Sequence, residues 1–172
     1  MIKKIESLNI ELDKTFKSLE NLSSEKLNFK PNPKKWSIGG HLYHLWLTEI
    51  NIEKYISKKT SYPESLVSMS KATPIKLMFL NFILLIGIKL KAPAIISDPI
   101  PDIIDIKDLH KKWISSRASM AVLVKKMDKE IMKKGVLKHP ILGRIDMKTT
   151  LSFISLHFKH HKKIIHKLDK KL

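Results

Sequence analysis

The chain is 172 residues long, enough for one domain that buries its own core without staples. It contains no cysteine, which excludes disulfides, thiolate metal sites and a thiol nucleophile supplied by the protein itself. Its net charge of +17 draws it toward anionic partners, but the lysines are spread along the whole length and only Arg117 and Arg144 could form arginine forks, so a solvated lysine-rich surface is expected rather than a specific nucleic-acid site.

In chain order, Ile5, Leu8, Leu12, Phe16 and Leu19 recur at helical spacing and predict a first helix over 2–21. The N-terminal residues have no apolar run or small-residue cleavage site, so no signal peptide is expected. Residues 22–35 carry Pro31, Asn32 and Pro33 and read as a loop. A second helix is expected from Trp36–Ser37 to about Ser57, with Ser37 as its cap and Ile38, Leu45, Ile52 and Ile56 on its apolar stripe. After an irregular stretch over 60–73, Pro74 opens an apolar helix to about Lys91, and the proline-rich segment 92–101 should be extended. The most apolar part, Leu77 to Leu90, falls short of the roughly 20 residues that a membrane span needs, so a buried or interface helix is expected.

A third long helix is predicted over Ile106–Lys134, with Leu109, Trp113, Ser116, Met120, Leu123, Val124 and Met127 at helical spacing and Gly135 as its C-cap. A loop through His139, Pro140 and Gly143 leads to a last helix over Lys148–Leu168. Strand signals are weak throughout. The expected fold is all-α: a four-helix bundle with an additional short apolar helix in the connection between the second and third main helices.

The candidate site lies among the eight histidines. On the last helix, His157 and His161 are separated by about 40° of rotation and ~6 Å of rise, so their rings can converge on one ion. Ile154, Ile164 and Leu168 share that face, and two histidines within an apolar stripe need polar partners or a metal. A catalytic metal site takes three protein ligands and keeps a position open. The third would come from the second helix, which offers His41 and His44, with Glu49 and Glu53 downstream. The apolar wheel of that helix mildly favours His41.

Two stretches also resemble the DinB-like superfamily, which includes the YfiT-like metal-dependent hydrolases. One is Pro33-Lys34-Lys35-Trp36-Ser37-Ile38 followed by His44-Leu45 and Glu49. The other is His139-Pro140-Ile141-Leu142-Gly143, then Leu151, Phe153 and His157-Phe158-Lys159-His160-His161. The resemblance spans most of the chain and implies a single DinB-like domain over 1–172. It implies that His44, rather than His41, joins His157 and His161 in holding a divalent metal, zinc or nickel first. It gives Glu49 the place of an acid that orients a ligand, holds a water or acts as a general base. It implies a homodimer acting on a small molecule, as a hydrolase or as an S-transferase using a low-molecular-weight thiol, which a chain without cysteine must take as a cosubstrate; the lack of cysteine and of a signal peptide makes a cytoplasmic location the expectation. Lys159 and Ile164 depart from the arginine and glutamine common at those positions. His139 is a candidate to approach the metal. His160, His110 and His166 read as surface residues, and Trp36 as a packing anchor.

Overall fold

The computed structural model describes residues 1–70, 72–85 and 99–171. Four long helices form the body: α1 (Ile2–Leu19), α3 (Ile38–Thr60), α5 (Ile106–Lys126) and α7 (Met147–Asp169), with short helices α2 (Ser24–Asn28), α4 (Thr73–Leu85) and α6 (Lys129–Lys133) in the connections. Each of α1 and α3 packs against both α5 and α7, so α1 and α3 lie on one diagonal of the bundle and α5 and α7 on the other. The all-α bundle expected from the sequence is therefore the fold, with α4 as the extra apolar helix between the second and third main helices.

The helix starts follow from their caps. Ser37 Oγ accepts from the Gly40 N–H at 3.0 Å, Asp146 Oδ1 from Thr149 N–H at 2.7 Å, and Asp105 Oδ1 from Lys107 N–H at 2.8 Å. Each cap satisfies a donor that the first helical turn leaves without a partner. On α1 the stripe Ile5, Leu8, Leu12, Phe16 and Leu19 is buried as its spacing predicts. Trp113 of α5 and Phe158 of α7 are almost fully enclosed and meet edge to face at 5.8 Å. Truncating either to alanine should cost about 3–5 kcal/mol.

Several boundaries differ from the sequence reading. The predicted loop at 22–35 contains α2, capped by Ser23. The helix expected to reach Lys134 ends at Lys126, because Met127 turns extended (φ −72°, ψ 131°) and Asp128 caps the separate helix α6. Gly135 is not a helix C-cap. Its N–H donates to Val67 O at 2.8 Å, and a Cβ there would fall 2.8 Å from Arg144 Cβ. The glycine lets the segment after α6 lie flat against the segment after α3.

The predicted loop before α7 is an antiparallel hairpin of β1 (Leu137–His139) and β2 (Gly143–Ile145). Its tight turn needs a left-handed residue, and Gly143 supplies it at φ 77°. Helix α4 packs on α7 and β2 and buries Leu80, while Ile75, Met78, Phe79 and Phe82 stay exposed. The expected continuation of that helix to Lys91, and most of the extended segment 92–101, lie outside the described residues. No helix among the described residues is long and apolar enough to cross a membrane.

The buried apolar side chains form two clusters. One holds Leu8, Ile52, Met120 and Ile154, the other Leu12, Leu45, Trp113 and Phe158. Between them, on α3 and α5, sit a buried carboxylate and a buried guanidinium: Glu49 and Arg117.

Candidate metal centre

Helices α3 and α7 face one another through two pairs of histidines. His41 and His44 stand three residues apart on α3, His157 and His161 four apart on α7. His44 Nε2 lies 3.3 Å from His157 Nε2, and His41 Nδ1 lies 2.9 Å from His161 Nδ1. The pairing 44 to 157 and 41 to 161 makes the two helices antiparallel at this point. His44, His157 and His161 each offer a ligand atom, and these atoms lie within 4.8 Å of one another. They are the three histidines that the resemblance implied.

The wheel argument does not separate His41 from His44, for a physical reason. It assumed a helix buried along one stripe, whereas α3 sits against both α5 and α7 and buries His41, Leu42, His44, Leu45, Leu47, Thr48 and Glu49 in succession. Both histidines are therefore inside. His44 belongs to the group of three, and His41 contacts one of its members, His161, at 2.9 Å. On α7 the core stripe runs through Ile154, Phe158 and Ile165, not Ile164.

The electrostatics suit a cation held by neutral imidazoles. Burial pushes His41 and His44 down from 6.5 to about 4. His157 falls to about 3, by loss of water first and then by repulsion from His44, His160 and His139. His161 is held far below the usual imidazole range, again by burial first and by the surrounding histidines second. Uncharged rings present lone pairs, and a divalent cation among them would replace the hydration that the fold removes.

Glu49 is not placed among the three histidines. Arg117 Nε and Nη2 donate to its two carboxylate oxygens, each at 2.8 Å, and Nη1 donates to the Leu8 carbonyl of α1. The guanidinium carbon lies 5.2 Å from the Trp113 ring centre and 5.6 Å from that of Phe158. This one buried fork ties all four long helices together, and each carboxylate oxygen accepts one hydrogen bond from it. Sequence reasoning missed Arg117. The signal was an arginine within an apolar stripe, four residues after Trp113 and three before Met120.

The remaining candidates fall around the group. His139 is buried on β1, where Nδ1 accepts from the N–H of Ile141 and Leu142 at 3.2 and 3.1 Å, so that ring nitrogen closes the hairpin turn. Phe153 lies between it and the site, packing on His139 at 4.4 Å and stacking on His157 at 5.4 Å, and His139 also acts electrostatically on His157. His160 is half-buried with its ring edge-on to His161, not simply a surface residue, while His166 is exposed as expected. His110 is also more than a surface residue: it pairs with Asp13 at 2.9 Å and stacks on Phe16. Trp36, an exposed side chain at 36%, lies 4.7 Å from the ring of His44, 5.3 Å from His41 and 6.2 Å from His161. The packing anchor expected at the helix start thus packs on these rings and forms one wall of the group.

The chain matches the model of the DinB superfamily over residues 8–165. It is similar to the uncharacterized protein YuaE of Bacillus subtilis (strain 168), 24% identical over 147 residues that cover 86% of this chain and 85% of that protein. No solved structure matches it.

Proposed function

The chain belongs to the DinB superfamily, and from that premise we propose that it is a divalent-metal-dependent enzyme acting on a small molecule, as a hydrolase or as a thiol-dependent S-transferase. The observation that carries this reading is the convergence of three neutral imidazoles, His44, His157 and His161, with ligand atoms within 4.8 Å of one another. Such a donor set suits zinc or nickel, and three protein ligands leave room for an exchangeable one. The ion would supply Lewis acidity, making a water or a cosubstrate thiol nucleophilic near neutral pH.

The chain's own residues do the rest. Burial keeps the imidazoles unprotonated and their lone pairs available at neutral pH. Trp36 walls one side of the group and limits water there. The Glu49–Arg117 fork holds α3 in register with α1, α5 and α7, so that His44 on α3 faces His157 and His161 on α7. In this reading Glu49 shapes the site from a distance and is not its base. We take the chain to act as one domain over 1–172, in a cytoplasmic homodimer.

The test is metal content by elemental analysis of the purified, tag-free chain beside a His157→Ala/His161→Ala double variant. The expected result is about one zinc or nickel per chain in the parent and none in the variant. Screens for thiol transfer and hydrolysis with the loaded protein then separate the two reactions. A parent that holds no metal after reloading with zinc or nickel would sink the enzyme reading.

A further inference from the structure

Beside the three grouped histidines stand His41 of α3 and His160 of α7, and His41 is arranged differently from the three. His41 is buried, and its Nδ1 contacts His161 Nδ1 at 2.9 Å. Two ring nitrogens at that distance share one hydrogen, so one ring donates and the other accepts. His161 has two nitrogens. If Nδ1 is engaged with His41, then Nε2 is the atom left to face His44 and His157. A lone pair on Nε2 places the ring hydrogen on Nδ1, which fixes His161 as the donor and His41 as the acceptor.

We propose that His41 is a positioning residue that holds His161 in the Nδ1–H tautomer, with Nε2 aimed at the metal. The inference rests on the metal-centre reading above. Metal-ligating histidines ordinarily give their second N–H to a carboxylate, a backbone carbonyl or a water, and the partner fixes the orientation of the ring and its tautomer. Here the acceptor is another imidazole, on the opposite helix. The two faces of the site are thereby built alike: each α3 histidine meets one α7 histidine, but the 44–157 contact joins two ligands while the 41–161 contact joins a ligand to its support. His41 also packs against Trp36 at 5.3 Å, which holds the supporting ring in place.

The proposal is tested on the full chain loaded with cobalt(II). Affinity is read by competition with a chromophoric chelator, coordination by the cobalt absorption bands, and the tautomer of His161 by its ¹⁵N shifts in the metal-free protein. His41→Leu removes the acceptor. His41→Asn places an amide oxygen near the position of Nδ1 and restores one. The expected results are a cobalt affinity lowered ~10–100-fold in His41→Leu, largely recovered in His41→Asn, with the cobalt bands unchanged. In the parent, His161 should carry its hydrogen on Nδ1. Affinity indifferent to His41→Leu, an asparagine variant no better than the leucine variant, or an Nε2–H tautomer at His161 each overturns the proposal. Altered cobalt bands in both variants overturn it too, because they make His41 a ligand. A parent that takes up no cobalt, zinc or nickel ends the metal-centre reading and this one together, whereas a parent that binds metal regardless of His41 ends this one alone.

Discussion

Glu49 is the residue where two lines of reasoning collide, and a substitution there separates them. Its carboxylate is buried and bound by both arms of the Arg117 fork, which also reaches the Leu8 carbonyl. Glu49→Ala leaves a guanidinium enclosed with no counter-charge. Breaking a buried pair from one side costs about 3–5 kcal/mol, a large share of the ~5–15 kcal/mol that holds a domain folded. At roughly 2–4 °C per kcal/mol for a chain of this size, the melting temperature should fall by about 6–20 °C. Replacing both partners with apolar side chains, as Glu49→Leu/Arg117→Met, should recover most of that loss, since no charge is then left buried.

Urea unfolding followed by circular dichroism gives the free energies, and an unchanged denaturant slope shows that the same surface is exposed in each variant. Metal content of the double variant is measured in parallel. The argument predicts a large loss in the single variant, recovery in the double variant, and metal retained in the double variant. A single variant destabilised by less than about 1 kcal/mol, the range of a surface pair, with metal retained but turnover lost, would refute it and restore Glu49 as a general base.

The histidines make a second prediction, for the chelator-treated protein. Folded-state values near 4 for His41, His44 and His139 and about 3 for His157 lie below the ordinary 6.5, so below pH 6.5 the unfolded chain takes up protons that the folded chain refuses. Stability is complete above that pH, falls most steeply as the pH drops from 6.5 toward 4, and goes on falling less steeply below it, because His157 and His161 protonate in the folded chain only at lower pH; each group adds up to about 1.4 kcal/mol per pH unit. Urea midpoints that stay flat from pH 7 to pH 5 would contradict it. Gly143 offers a test of backbone conformation alone, because its φ is 77° and a Cβ there would meet nothing within 4 Å. Gly143→Ala should cost about 1–2 kcal/mol and Gly143→Asn less, since asparagine tolerates the left-handed region; equal losses for the two would count against that explanation.

What the sequence by itself determined is the part governed by local periodicity and end chemistry. The spacing of Ile5, Leu8, Leu12, Phe16 and Leu19 is enough to bury one face of α1, and Ser37 caps α3 whatever lies across the bundle. The i, i+4 placement of His157 and His161 likewise brings their rings together on one helix. The break at Met127–Asp128 and the 137–145 hairpin were missed for different reasons: the chain after the break is held by a distant contact, Gly135 N–H with Val67 O, whereas the hairpin is closed locally by His139 Nδ1 but its three-residue strands are too short to carry a periodic signal. Only the tertiary structure decided which charges and rings meet across helices. A wheel places His41 near the apolar stripe of α3 but cannot say that α5 and α7 enclose that helix on two sides, nor that His44 lands opposite His157 and His41 opposite His161. It cannot show that Glu49, five residues after His44, turns toward Arg117 on α5 rather than toward the histidines on α7. Periodicity reports which residues leave water. The crossing and register of the helices determine which of them come within hydrogen-bonding distance.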